Sequence, residues 1–481
     1  MGWFSAPDYW LSRLVFLRAL AVIYVIAFLV AANQFRPLLG ERGILPIPRF
    51  VRAVPFRRSP SLFHFHYSDR FFATVAWTGV ALSTALLAGA ADTTPLWGSM
   101  LLWLVPWALY LSIVNVGQIW YGFGWETLLV ETGFLAIFLG PSHVAPPALV
   151  LWLLRWLVFR VEFGAGLIKI RGDRCWRDLT CLRYHHETQP LPGPLSWRFH
   201  HLPMALHKIE VLANHFAQLV VPVLLFAPQP VARWAAVVVI VTQSWLVLSG
   251  NFAWLNVVTI TIAIPALGDS LLHNVVPLSA PTSLAHPPVW DGVVVITVAA
   301  VIAVLSVQPA RNLVSRRQRM NASFDPLRLV NTYGAFGSIT RVRHEIVLEG
   351  TADVALTPQS VWHEYEFKGK PGDPTRRPPQ VAPYHLRLDW LMWFAALSPA
   401  YAEDWFVPLV LRLLENDAAT LKLLRKNPFP DDPPAFVRAR LFEYRFTSRE
   451  DRRATGAWWH RTLVGEYLRP VQRRVASTQV P

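Results

Sequence analysis

The chain has 481 residues, 53% hydrophobic and 16% charged, with a mean hydropathy of +0.32. Soluble proteins of this size carry about 25% charged residues, so an all-soluble multidomain chain is excluded. The net charge of +14 is read as basic loops beside membrane helices rather than a nucleic-acid footprint, and no nucleic-acid partner is expected.

A membrane-spanning helix needs about 20 mainly apolar residues. Such stretches occur at 14–34, 71–90, 97–116, 125–139, 148–170, 211–226, 231–248, 252–267 and 293–307. The third contains Pro106, which predicts a kink. The fourth is short and interrupted by Glu126 and Glu131, and the eighth is marginal, so either fits a re-entrant or interfacial segment. The first is long and has no small-residue cleavage site, which reads as a retained helix rather than a signal peptide.

Charges become dense after Ser306, and a soluble α+β domain is expected from there on. The alternation at 341–349 and 361–368 predicts strands. Residues 370–384 form a proline-rich loop, 386–397 and 405–415 read as amphipathic helices, and 416–426 as a shorter helix. A strand is expected at 436–446 and a last helix at 457–468. The fold class is therefore a polytopic α-helical membrane protein of about 7–9 transmembrane helices with a C-terminal soluble α+β domain. The expected division is 1–308 and 309–481.

The fifth stretch places Arg155, Glu162 and Lys169 seven residues apart, on one helix face. Ionisable groups at membrane depth are costly and usually pair. The stripe reads as a buried ion-pair ladder locking the bundle, or as a polar site with Lys169 as a titratable base beside Glu162. Glu126 and Glu131 are expected to pair with Arg155 or Arg160. His185, His186, His200, His201, His207 and His215 show no recognised metal-ligand spacing, so no metal site and no cofactor are expected. Cys175 and Cys181 form a short-loop disulfide if their segment faces an oxidising compartment. No phosphate loop, nucleophile elbow or zinc-protease motif is present in the sequence.

The stretch from Gly166 to Pro194 (GLIKIRGDRCWRDLTCLRYHHETQPLPGP), with Trp176, Asp178, His185 and Glu187, resembles the signature segment of the lipase maturation factor family. So do GERGILP at 40–46, ETGFLAIFL at 131–139 and NTYGAFGSIT at 331–340, the last with Asn331, Tyr333 and Gly334. In the soluble part, residues 364–395 and Asn427-Pro-Phe-Pro are also similar to that family. The resemblance implies a multi-pass membrane protein, of the endoplasmic reticulum in animals. It helps secreted lipases, lipoprotein lipase among them, to fold and assemble, with no hydrolase chemistry of its own. The implied partners are the bilayer and a secreted lipase or other exported client. Arginine-rich, lysine-poor composition suggests a bacterial cell membrane here; Lys169 and Lys208 are the only lysines before Lys368.

A shorter pattern, Ala165-Gly166, Lys169 and Trp176, is similar to the membrane core of the vitamin K-dependent carboxylase-like family, which implies an alternative: an intramembrane enzyme using Lys169 as base. A transporter-like bundle ranks below both, since no inverted repeat is visible. Orientation is in conflict. The basic loops at 36–70, 171–198 and 311–319 fall on one side, which the positive-inside rule makes cytoplasmic. The family resemblance places the soluble domain on the outer or lumenal side, which also suits a disulfide.

Overall fold

The computed structural model describes residues 4–472. Among the described residues, nine helices carry the apolar stretches. They are α1 (Trp10–Leu39), α2 (Asp69–Ala88), α3 (Leu96–Val116), α4 (Gly124–Ala136), α5 (Ala148–Arg171), α6 (Met204–Leu219), α7 (Val231–Ser249), α8 (Leu255–Ala263) and α9 (Val289–Leu305). Five spans are long and apolar enough to cross a bilayer by length and composition: α1, α2, α3, α7 and α9. Local chemistry sets their ends. In α2, the Ser68 hydroxyl caps the Phe71 amide, and Gly89 at φ +102° ends the helix in the left-handed region.

Helix α5 has 24 residues and is about 36 Å long, enough to cross the hydrocarbon core despite its charges. Leu154, Leu157 and Val158 on it are fully buried. Helix α4 differs from the expected fourth span. It has 13 residues, about 20 Å, and nearly all of them are buried within the bundle. Its exposed backbone ends are tolerated at membrane depth because protein, not lipid, surrounds them. Helix α6 begins at Met204, earlier than expected, and gives way to a short turn of helix at Val221–Leu224.

The C-terminal region holds a four-stranded antiparallel sheet of order β2-β1-β5-β6. Its strands are β1 (Arg343–Thr351), β2 (His363–Glu364), β5 (Phe436–Phe446) and β6 (Trp459–Gln472). A two-stranded sheet pairs β3 (Glu366–Phe367) with β4 (Leu424–Lys426). The region also contains helices α10 (Arg387–Leu397) and α11 (Phe406–Leu414) and a short helix at Arg449–Thr455.

Three expectations are corrected. Residues 361–368 do not form one strand: β2 and β3 join different sheets, separated at Tyr365. Residues 416–426 are helical only at Ala418–Leu421, capped by Asp417, and then become β4. The last helix is strand β6, which pairs with β5 from Phe446↔Trp459 to Phe436↔Gln472.

The soluble domain is bolted to the end of the bundle. Gln34 on α1 accepts a hydrogen bond from the Arg387 amide (3.1 Å) and donates one to the His385 carbonyl (2.7 Å). This anchors the start of α10 at the mouth of the bundle.

Candidate functional site

Small residues let neighbours reach the exit of α5. A Cβ on Gly164 would lie 2.5 Å from the Tyr333 carbonyl oxygen, and one on Gly166 would lie 2.7 Å from a Leu219 methyl. Only glycine allows the 331–337 segment and α6 to pack this close.

The expected ion-pair ladder is not what α5 builds. Arg155 donates to the Leu225 carbonyl (3.2 Å) and the Tyr9 hydroxyl (3.0 Å), and its guanidinium lies over Trp152. Glu162 accepts from Gln243 (2.6 Å) and Gln218 (3.2 Å). Lys169 donates to Asn214 and Gln218 (2.9 Å each) and sits over the Trp176 ring. Gln218 therefore bridges Glu162 and Lys169, and Asn256 extends the chain through Gln243 (2.7 Å). Two helical turns separate successive members of the stripe by about 10.5 Å, so each finds uncharged polar partners of its own instead of the next charge.

This polar chain lines a cavity of about 1310 Å³ between α5, α6, α7, α8 and the soluble domain. Ile209, Trp245, Trp390 and Phe394 supply much of its apolar wall, and the exposed Arg171, Arg316 and Arg317 also border it. The Lys169 amine is held in this cavity by the two side-chain amide oxygens of Asn214 and Gln218. No nucleophile–base pair converges in the cavity among the described residues.

Two buried carboxylates join the parts of the molecule. Glu131 on α4 pairs with Arg160, as expected. It also accepts from the Asn331 side-chain amide (2.9 Å), the Asn331 backbone amide (3.1 Å) and the Tyr333 hydroxyl (2.7 Å). The Arg160 guanidinium donates in turn to the Asn331 carbonyl (2.7 Å). Glu126 does not pair with Arg155 or Arg160. Its partner is Arg387 of the soluble domain at 2.7 Å, with the Tyr110 hydroxyl donating at 2.5 Å.

The signature segment is a clasp between bundle and sheet. Cys175 and Cys181 are joined by a disulfide. Asp173 caps the Cys175 amide (3.0 Å) and pairs with Arg341 (2.8 Å), whose hydrogen bond holds the carboxyl below the usual range. Trp176 donates to the Phe336 carbonyl (2.8 Å), and a Cβ on Gly334 would lie 3.0 Å from the Met320 side chain. Asp178 forms an exposed pair with Arg174. His185 packs its ring on Phe252 and Phe336. Glu187 accepts from the Phe446 amide (2.7 Å), and burial pushes its carboxyl up. Arg343 on β1 donates to the carbonyls of Glu187 (2.9 Å), Gln189 and Pro190 (3.0 Å). The sequence does not single out Arg343 and Asp173, because the partners that make them a clasp, Glu187 and Arg341, lie 156 and 168 residues away along the chain.

Fold and clasp define a polytopic helical membrane protein with a soluble domain docked on one end of the bundle. A family model for the lipase maturation factor transmembrane domain matches residues 11–274, and one for the lipase maturation factor C-terminal domain matches 329–469. Lipase maturation factor 1 of Homo sapiens is 43% identical, covering 96% of this chain and 88% of its own length. Lipase maturation factor 1 of Bos taurus is 42% identical over 98% of this chain and 90% of its own. Lipase maturation factor 2 of Rattus norvegicus is 30% identical over 94% and 82%. No solved structure matches the chain. The chain belongs to the lipase maturation factor family.

Proposed function

We propose that the chain is a membrane-bound maturation factor that helps exported proteins, secreted lipases foremost, to fold and assemble. The observation that carries this is similarity to named lipase maturation factors along both the bundle and the soluble domain, at 43% identity. The client surface is then the soluble domain, held rigidly by the buried Glu126–Arg387 pair and the Arg343 clasp.

The lysine-poor, arginine-rich composition supports a bacterial cell membrane as its home. The disulfide supports an oxidising side for the clasp and for the soluble domain it touches, against the arginine bias of the loops. Impermeant thiol labelling of intact cells, with and without reductant, tests this. Cysteines labelled only after reduction are the expected result; cysteines that stay unlabelled until the membrane is opened would place the domain inside.

Function is tested in cells lacking an endogenous maturation factor and expressing a secreted dimeric lipase. Expression of this chain is expected to raise secreted lipase activity. Unchanged secretion, with the chain present and folded in the membrane, would rule out a lipase client.

A further inference from the structure

We propose that His186, His207 and Glu210 form a divalent transition-metal site of the zinc class at the start of α6. One ligand atom from each of the three lies within 4.8 Å of the other two. His207 and Glu210 are three residues apart on α6 and so share a face. His186 comes from the short helix Leu182–Thr188 packed beside it, its ring centroid 5.8 Å from that of His207.

Each group is prepared for a ligand. His186 is 1% exposed, and neither ring nitrogen has a hydrogen-bond partner among the described residues. Burying an imidazole without a partner is costly, and buried polar groups are nearly always paired. His207 is also buried. Its Nε2 faces the His200 carbonyl at 3.4 Å, while its Nδ1 is unpartnered. An N–H donated to that carbonyl puts the lone pair on Nδ1. Glu210 accepts from the Trp245 indole through Oε1 at 2.7 Å, leaving Oε2 for the cluster. A backbone carbonyl behind one ligand and an indole N–H behind another is the outer-shell support that metal-binding histidines and carboxylates require.

Two imidazoles and one carboxylate suit zinc, whose catalytic sites include this donor set, and disfavour magnesium and calcium, which take oxygen ligands. Zinc bonds of about 2.0–2.1 Å would bring the three atoms to about 3.3 Å apart, a modest closure of three side chains. Glu210 and Trp245 also line the large cavity, so a remaining coordination position is reachable from it. The inference is independent of the client reading above.

The test uses the full chain in detergent, purified through a tag without histidine, stripped with chelator and titrated with zinc chloride. The expected result is about one tightly held equivalent per chain and a tetrahedral visible spectrum with cobalt(II) as probe. His186→Gln and Glu210→Gln are expected to abolish both while eluting as the wild type does. Trp245→Phe, which keeps an aromatic ring and removes the indole N–H behind Glu210, is expected to weaken zinc binding about 10–100-fold. Wild-type protein that holds no zinc, or well-folded His186→Gln and Glu210→Gln proteins that bind it as the wild type does, would overturn the assignment.

Discussion

Glu126 on α4 and Arg387 on α10 form an ion pair at 2.7 Å in which neither side chain has any exposure. One belongs to the bundle and the other to the soluble domain, 261 residues later. The guanidinium lies 3.4 Å above the Tyr121 ring centroid and also donates to the Trp120 carbonyl (2.6 Å). Removing one partner leaves a charge buried alone, which costs about 3–5 kcal/mol. Glu126→Gln and Arg387→Met are each expected to lower thermal stability by that order, measured by heat-induced loss of monodisperse protein in detergent. The double variant is expected to recover part of the loss. Additive losses would mean the pair contributes no coupling.

The Glu131 carboxylate gathers donors from Arg160, Asn331 and Tyr333, which ties the 331–337 segment to the bundle. Tyr333→Phe deletes one hydroxyl and leaves the ring in place. It is expected to cost about 1–3 kcal/mol, because a buried carboxylate loses one of its donors. Asn331→Ala removes a further donor and is expected to cost more. A limited-proteolysis series reports it directly, since release of the segment exposes the chain between bundle and sheet.

The clasp loop closed by Cys175–Cys181 is short. Chain-entropy arguments give a disulfide of this loop size about 2 kcal/mol. Reductant is therefore expected to lower the midpoint of thermal unfolding of the wild type and to leave a Cys175→Ser, Cys181→Ser double variant unchanged. Equal sensitivity of both proteins would show that the thiols are free.

What could be read beforehand follows the range of the interactions. Strand β5 matches its expected bounds, 436–446, because apolar and polar residues alternate locally. The apolar runs likewise locate the bundle. Strand β6 reads as a helix because it is an edge strand with much of its length exposed, where sequence carries no period-two core pattern. The stripe of Arg155, Glu162 and Lys169 was visible, but its partners were not: Gln218, Gln243 and Asn214 are uncharged and carry no local signal. Glu126 was visible as a costly carboxylate, and the nearest arginines in sequence were the wrong partners. Glu210 drew no notice because its meaning depends on His186 arriving from another helix.

His385 gives a pH dependence with a definite sign. Its ring is fully buried among Phe123, Trp125, Trp254 and Trp390, and neither nitrogen has a hydrogen-bond partner among the described residues. Burial, with Arg387 nearby, holds its pKa well below the ordinary value. In the unfolded chain the imidazole takes a proton near pH 6.5. Above that pH both states are neutral and the residue contributes no pH dependence. Below it only the unfolded chain binds the proton, so stability falls with pH, by up to about 1.4 kcal/mol per unit for this one group. His385→Phe keeps an aromatic ring in the cage and removes the titration. Thermal unfolding followed from about pH 7.5 down to pH 5 is expected to show a shallower acid slope for the variant, by one proton's worth. Identical slopes would mean that the His385 ring is already accessible to protons in the folded protein.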